Sequence, residues 1–185
     1  WKIYRYSNFS HNTLVVNNQL HNVDCFAPLT HFSSDSPMPH AIIKMDDVFK
    51  GQLAHASRGA AMLDNNRALI QDEWQASDSP AAVRWGMVAP ASIEILSPST
   101  ARISQNGKTL MVHVLAPREI QLRIYPTDPP AEWDEPNPNT AMLGFEINLQ
   151  PHEEICLAVI FSPGESNTPP APAIKPLAEW SQPLP

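Results

Sequence analysis

The stretch around His11 holds the first residues whose types and spacing could do chemistry. His11 is followed by Asn12 and Thr13, where a polar stretch meets the apolar residues 14–16. Asn and Thr side chains hydrogen-bond to nearby backbone groups, so they would hold the imidazole at a fixed point where a strand begins. Such an imidazole can be a metal ligand or simply a satisfied surface or core histidine, and a lone histidine is more often the latter.

Arg5 is the candidate for binding an anionic substrate, because a guanidinium fits a carboxylate. A surface ion pair is an equally good interpretation of Arg5. Tyr4 and Tyr6 flank it and are interpreted as packing residues on one face of a strand, and no catalytic role is assigned to Tyr125.

The other candidates have structural interpretations. Adjacent carboxylates at 46–47 and 72–73 point to opposite faces of a strand, which argues against a glycoside hydrolase. Trp74 and Trp85 could stack on sugars, but large aromatic residues in a β-sandwich are more often core. The remaining histidines match no zinc signature and are interpreted as structural; they are His21, His31, His40, His55, His113 and His152.

Residues 5–17, with the sequence RYSNFSHNTLVVN, resemble the heparinase II/III-like polysaccharide lyases. In that family an aromatic or Arg-rich strand leads into a His-Asn-Thr segment, an apolar strand and a turn. The later run of Arg58, a hairpin, Asp72 and Trp85 resembles the same family's β-sandwich. The resemblance covers residues 1–125 and is most specific in the first 17.

The resemblance implies a reaction on uronic-acid polymers, of the heparin, heparan sulfate or alginate type. The family removes the C5 proton of a uronic acid and expels the 4-linked sugar by β-elimination, which needs a carboxylate neutraliser, a base and an acid. In the family these groups come from an N-terminal α/α toroid and from a His-x-His motif. Neither is present here, so no catalytic residue is assigned, and we expect the chain alone to be inactive.

The resemblance also implies that His11 is one ligand of a structural zinc ion in a longer parent protein. The other ligands would precede Trp1, so no zinc is expected in this chain by itself. The implied partners are an acidic polysaccharide and the missing toroid domain, and the implied location is periplasmic or secreted. The alternatives are a non-catalytic carbohydrate-binding or interaction sandwich, and a purely structural sandwich.

The composition of the whole chain limits the classes of protein it can belong to. Its 185 residues include 20 prolines and 6 glycines, with 43% hydrophobic and 17% charged residues. This composition excludes disorder for most of the chain and suits strands joined by proline-containing loops. The formal net charge of −7 argues against nucleic acid as a partner. No apolar stretch approaches the ~20 residues that span a bilayer, so no membrane partner is predicted.

The elements that must position these residues are predicted to be strands. Turn residues at 17–18, 65–66 and 106–107 predict hairpins, the second joining strands 57–63 and 67–74 and the third joining 101–105 and 109–115. Further strands are predicted at 1–6, 41–49, 82–88, 93–96, 119–125, 145–149 and 155–161, with loops at 22–39 and 126–139.

These elements predict an all-β fold, an antiparallel β-sandwich of the super-sandwich type with two or more packed sheets. The predicted sandwich covers residues 1–162, and residues 163–185 form a proline-rich tail that Leu177 and Trp180 could anchor. Whether Cys25 and Cys156 form a disulfide is left open, and two small buried thiols are the favoured interpretation.

Overall fold

The fold consists of strands and short 3₁₀ helices, in a computed structural model that describes residues 3–34, 38–63, 66–117, 119–164 and 172–180. Within those ranges there are three 3₁₀ helices, Tyr4–Tyr6, Asn8–Ser10 and Leu177–Glu179, and no α-helix. The twelve strands are β1 Leu14–Val16, β2 Leu29–Ser33, β3 His40–Lys44, β4 Leu53–Leu63, β5 Arg67–Ala76, β6 Ala81–Ala89, β7 Ser92–Ser97, β8 Thr100–Gln105, β9 Lys108–Ala116, β10 Arg123–Tyr125, β11 Ala141–Leu149 and β12 Glu154–Pro163. No helix in the described ranges is long and apolar enough to cross a membrane.

The strands form two antiparallel sheets of unequal width. The four-stranded sheet has the order β1-β6-β11-β10, and the eight-stranded sheet has the order β2-β3-β4-β5-β12-β9-β8-β7. Strand pairing is antiparallel throughout. The predicted all-β antiparallel sandwich is therefore confirmed.

The core lies between the two sheets and contains several of the large aromatic residues. Trp74 of the eight-stranded sheet and Trp85 and Phe145 of the four-stranded sheet are buried there. The rings of Trp85 and Phe145 stack with centroids 5.6 Å apart. Both tryptophans are thus core residues, as the sequence indicated, and neither is available to stack on a sugar.

A second apolar cluster lies on the outer face of the eight-stranded sheet, beneath the C-terminal segment. Leu177 and Trp180 are buried against residues of β3, β4, β5 and β12. The backbone N–H of Leu177 donates to the Glu73 carboxylate at 2.7 Å, and the Gln71 side-chain amide donates to the Lys175 carbonyl oxygen at 2.7 Å. The predicted anchoring of the tail by Leu177 and Trp180 is confirmed, whereas the division at residue 162 stays a prediction.

The predicted strand at residues 1–6 is wrong within the described residues, and Trp1 lies outside them. Two 3₁₀ helices occupy this region instead. The hydroxyls of Ser7 and Ser10 each donate to the Tyr4 carbonyl oxygen at 2.8 Å. Serine hydroxyls that bond the backbone in this way favour tight turns over strands. Tyr4 and Tyr6 therefore do not share a strand face; Tyr4 is half-buried and Tyr6 is exposed.

Three other predicted boundaries are corrected. The predicted loop at 22–39 contains β2, which pairs with β3 despite the prolines on either side. The predicted strand 41–49 ends at Lys44, since the chain turns over residues 46–52, where the N–H of Phe49 bonds the Met45 carbonyl oxygen. The predicted strand 119–125 is reduced to β10, and Ile124 is exposed although Ile120 and Leu122 are buried.

The predicted turns have mixed outcomes. The hairpin at 106–107 is confirmed as β8–β9, with positive φ at Asn106 and Gly107. Pairing of β4 with β5 confirms the second hairpin, although residues 64–65 of its turn lie outside the described residues. Asn17 and Asn18 do turn the chain with positive φ, but the predicted hairpin is wrong because β1 pairs with β6. The predicted loop at 126–139 contains no strand.

Candidate functional site

The segment leading to His11 is fixed to the outer face of the four-stranded sheet. Arg84 of β6 donates a hydrogen bond from Nη2 to the Phe9 carbonyl oxygen at 3.1 Å, and its guanidinium carbon lies 5.6 Å from the centre of the Tyr125 ring. At the other end of the segment, the backbone N–H of Tyr4 donates to Asp134 at 2.6 Å. Burial raises the pKa of both Tyr4 and Tyr125, so each phenol is a weaker acid than usual.

Asn12 links the two sheets. Its Oδ1 accepts a hydrogen bond from the backbone N–H of Val88 at 2.7 Å. This side-chain bond continues the backbone pairing of β1 with β6 by one further residue. Its carbonyl oxygen accepts from Nη1 of Arg58, on the eight-stranded sheet, at 3.2 Å. Because Asn12 is held from both sides, His11 next to it lies at a fixed point with its side chain exposed.

Arg58 is itself fixed by a buried ion pair. Its Nε and Nη2 donate to the two carboxylate oxygens of Asp72 at 2.6 and 2.9 Å, a bidentate side-on pairing, and β4 and β5 place the two residues directly opposite each other. The Asp72 side chain is 0% exposed and that of Arg58 is 17% exposed. Burial lowers the pKa of Arg58, but the charge of Asp72 and the hydrogen bonds to it together raise that pKa by more. The Arg58 guanidinium thus bonds Asp72 and Asn12, and its role is to position Asn12.

His11 faces a cleft of about 390 Å³ between the 3₁₀ segment and the chain that follows β1. His21 lines the same cleft. The cleft is mostly apolar, with exposed Tyr6 and Phe26 at its mouth. Its other lining residues are Ser7, Asn8, Thr13, Leu20, Asn22, Val23, Cys25, Ala27 and Val48.

His21 is held firmly in the wall of this cleft. Its Nε2 lies 2.8 Å from the Leu14 carbonyl oxygen, and its ring packs edge-on against Phe49 with centroids 4.8 Å apart. Burial lowers the pKa of His21, and the positive charges of Arg58 and His11 lower it further, against a raising effect of the bond to Leu14. Asn8 fixes the backbone here, since its side chain bonds the Gln19 carbonyl oxygen at 2.9 Å and the His21 N–H at 3.3 Å.

Sequence reasoning missed His21, to which it gave only a structural interpretation. The signal was the Asn17-Asn18 turn, which reverses the chain and brings residues 19–21 back beside β1.

The described residues do not by themselves build a metal site. In the ranges that the structure describes, no group of three or more His, Cys, Asp or Glu side chains could hold a metal ion. His11 and His21 share the cleft, but Nε2 of His21 is taken by a backbone carbonyl. The Cys25 thiol donates to the Asn22 carbonyl oxygen at 3.0 Å, and Cys25 and Cys156 are both free and half-buried.

The remaining sequence candidates lie away from the cleft. Arg5 is exposed and lines no part of the cleft; its Nη2 donates to the Pro136 carbonyl oxygen at 3.2 Å, and its role in substrate binding stays a prediction. Asp72 faces the inter-sheet side, whereas Glu73 bonds the C-terminal segment on the other face, as expected for adjacent strand residues. Asp46 accepts from the Ala56 N–H at 2.9 Å and pairs with Lys44 and His55.

Comparison with known proteins finds similarity in structure only. No family model matches the sequence, and neither does any curated protein. A heparinase III, the BT4657 gene product with methylated lysines, matches with a TM-score of 0.68 at 14% identity, over 85% of this chain and 24% of that chain. The heparan sulfate lyase HepC from Pedobacter heparinus matches with a TM-score of 0.68 at 13% identity, over 88% of this chain and 25% of that chain.

A further heparinase III structure matches with a TM-score of 0.65 at 10% identity, over 84% of this chain and 24% of that chain. At these identities the likeness establishes the fold. This chain therefore has the fold of one part of the heparinase III and heparan sulfate lyase structures, and it spans 24–25% of their length. The resemblance to heparinase-like lyases predicted from residues 5–17 is confirmed at the level of fold.

Proposed function

We propose that this chain is the C-terminal β-sandwich of a longer polysaccharide lyase that cleaves uronic-acid polymers, of the heparin, heparan sulfate or alginate type, by β-elimination. The observation that carries the proposal is the match of nearly the whole sandwich to part of heparinase III and heparan sulfate lyase structures. In this proposal the parent is periplasmic or secreted, and its partners are the acidic polysaccharide and its own N-terminal toroid domain.

The elimination needs three groups around the sugar. A base removes the C5 proton, the C4–O bond breaks as the C4=C5 double bond forms, and the departing oxygen takes up a proton. A positive or hydrogen-bonding group must also neutralise the neighbouring carboxylate. Arg58 is paired with Asp72, and burial raises the pKa of Tyr4 and Tyr125, so both phenols stay protonated near neutral pH and do not accept the C5 proton. In this proposal the catalytic groups lie in the rest of the parent.

His11 would supply one ligand of a structural zinc ion at the junction with the rest of the parent. The support is its position, since an exposed imidazole beside the doubly held Asn12 is displayed at a fixed point. Zinc needs three or four protein ligands in such a site, so the others would come from residues outside this chain. Bound there, the ion would crosslink the sandwich to the preceding domain. Arg5, which is exposed, would contact the polymer's carboxylates in the parent.

The competing proposal is a non-catalytic carbohydrate-binding sandwich. The observation that favours it is the pair of exposed aromatic rings, Tyr6 and Phe26, at the mouth of the cleft. Aromatic faces of this kind stack on sugar rings. In that case the chain alone would bind a polysaccharide, and Tyr6→Ala or Phe26→Ala would weaken the binding.

Activity assays separate the two proposals. The chain alone and a longer protein carrying its native upstream sequence are incubated with heparan sulfate and with alginate, and the ultraviolet absorbance of the unsaturated uronate is followed. We expect product from the longer protein and none from the chain alone. Turnover by the chain alone would contradict the assignment of catalysis to the rest of the parent, and binding without turnover by both proteins would favour the binding module.

Metal analysis tests the role of His11. We expect the longer protein to contain about one zinc per molecule and its His11→Ala variant to contain almost none. The matched control is His55→Ala, which removes a half-exposed histidine on β4 that lines no part of the cleft. Full zinc occupancy in the His11→Ala variant would exclude His11 as a ligand.

A further inference from the structure

The inner face of the eight-stranded sheet extends beyond the smaller sheet that packs on it. The register places Phe32, Ala41, Ala60 and Ile70 side by side across β2, β3, β4 and β5, on one face. The same row continues into Val159 of β12, which is fully buried in the inter-sheet core. Toward β2 the side chains of this row become exposed: Ala60 is exposed, and Phe32 is 63% exposed.

Met62 extends this surface by a second row. It lies two residues beyond Ala60 on β4, so its side chain is on the same face, and it is 44% exposed. We call the surface formed by Phe32, Ala41, Ala60, Met62 and Ile70 the open apolar face. It contains no charged residue, and its nearest ion pair, between Arg58 and Asp72, lies one row toward the core.

The open apolar face is bordered by the edge strand of its sheet. β2 is the last strand in the sheet order and has no described strand on its outer side. Its sequence, LTHFS, contains no Asp, Glu, Lys, Arg or Pro; its pairing with β3 has a register irregularity between Leu29 and His31, a feature that limits pairing at sheet edges. A contiguous exposed apolar surface is nevertheless typical of a covered interface.

We propose that the open apolar face is the surface on which the preceding part of the longer chain packs, an inference that rests on the proposed function. Structures with this fold have about three-quarters of their chain outside the part that matches, so a covering segment of sufficient size exists in such proteins. The face is continuous with the core, so the covering segment would complete that core. The small residues Ala41 and Ala60 leave a flat surface that admits a close-packed sheet or helix.

A second copy of this chain is the less favourable occupant. Each copy carries a formal net charge of −7, and pairing two copies through this face would bring those charges together. The face also lies on the side of the sheet where Arg58, two residues from Ala60 on β4, bonds the carbonyl oxygen of Asn12, the neighbour of His11.

Cysteine labelling tests the inference in the longer protein and in the chain alone. Phe32→Cys and Met62→Cys are made in a background in which Cys25 and Cys156 are replaced by Ser, and reaction with a maleimide is timed. The control is Leu96→Cys on β7, at the opposite edge of the same sheet, where Leu96 is 47% exposed. In the longer protein we expect Phe32→Cys and Met62→Cys to react at least about tenfold more slowly than in the chain alone, with no change for Leu96→Cys.

The outcomes separate this inference from the proposed function. Equal labelling rates in the two proteins would overturn the inference even if the longer protein is an active lyase. Protection in an inactive longer protein would support the inference and contradict the proposed function. Protection that appears in the chain alone and grows with its concentration would identify a second copy as the occupant and overturn the inference. If a cysteine variant fails to fold, amide exchange of residues 29–33 in the unmodified proteins gives the same comparison.

Discussion

At the scale of single residues, the ion pair between Arg58 and Asp72 is the most consequential contact near the candidate site. Replacing Asp72 by Asn keeps the shape of the side chain but leaves the guanidinium buried without a counter-charge. Breaking a buried pair in this way costs about 3–5 kcal/mol. We therefore expect Asp72→Asn to lower the free energy of unfolding by roughly that amount, measured by urea unfolding.

The chain provides a matched control on two other neighbouring strands. Glu94 of β7 and Arg102 of β8 also face each other in register and form an ion pair, but the Glu94 side chain is 58% exposed. We expect Glu94→Gln to cost less than about 1 kcal/mol. Equal losses for Asp72→Asn and Glu94→Gln would show that the Arg58 pair is no more important to stability than a surface pair.

His113 of β9 gives a pH dependence whose sign follows from its burial. Burial lowers the pKa of His113 in the folded protein. The unfolded chain keeps an ordinary histidine pKa of about 6.5 and so takes up a proton at a higher pH than the folded protein does. The free energy of unfolding should therefore be at its full value above pH ~6.5 and fall as the pH drops below it.

In the variant His113→Gln, the free energy of unfolding should decrease less as the pH falls. The measurement is urea unfolding at about pH 8, where histidine is neutral in both states, and at about pH 5.5, where the unfolded histidine is charged. The free energy of unfolding should differ less between the two pH values in His113→Gln than in the unmodified chain. An unchanged difference would mean that His113 does not contribute to the acid sensitivity.

At the scale of elements, Gly59 is the position at which β4 meets the C-terminal segment. A Cβ added at Gly59 would lie 2.7 Å from Cζ3 of Trp180 and would collide with Leu177. The buried segment 177–180 would have to shift, and overpacking of this kind costs about 1–3 kcal/mol. We expect Gly59→Ala to lower the free energy of unfolding by that amount and to speed protease cleavage within residues 172–180.

A truncation provides the control for Gly59. In a chain that ends before residue 172, the Leu177 and Trp180 side chains are absent and the added methyl group has room. Gly59→Ala should then lower the free energy of unfolding by less than about 0.5 kcal/mol. Comparing its effect in the full and the truncated chain is a double-mutant cycle for the contact between Gly59 and the tail. A similar loss of stability in the full and the truncated chain would show that the added methyl group does not clash with the tail.

The elements that the sequence predicted correctly are those with a local cause. Alternation of apolar and polar residues and the Asn-Gly turn at 106–107 act within a few residues, and they identified β8 and β9. The strand predicted at 1–6 failed because the serine hydroxyls of Ser7 and Ser10 bond the backbone and form 3₁₀ turns. β2 was missed because an edge strand is stabilised by its neighbour, β3, and not by its own proline-flanked sequence.

At the scale of the whole molecule, the candidate site was predictable only in part because distant elements build it. His11 could be selected from its neighbours Asn12 and Thr13, but the bonds that fix Asn12 come from residues 46 and 76 positions away. The pairing of Arg58 with Asp72 depends on the register of β4 and β5. The Asn17-Asn18 turn indicates that the chain reverses before His21, but not that His21 then contacts the Leu14 carbonyl oxygen and the Phe49 ring.

The position of β12 has a consequence for how the protein is made. β12 is the last strand among the described residues, yet it lies in the middle of the eight-stranded sheet, between β5 and β9. When only residues 1–153 have been synthesised, the sheet consists of two separate groups of strands, β2–β5 and β7–β9. The edges of β5 and β9 that β12 will later pair with are then unpaired. At about 5–20 residues per second these edges stay exposed until residues 154–163 emerge. Nascent or prematurely terminated chains are thus the form most exposed to aggregation and the form that a chaperone would recognise.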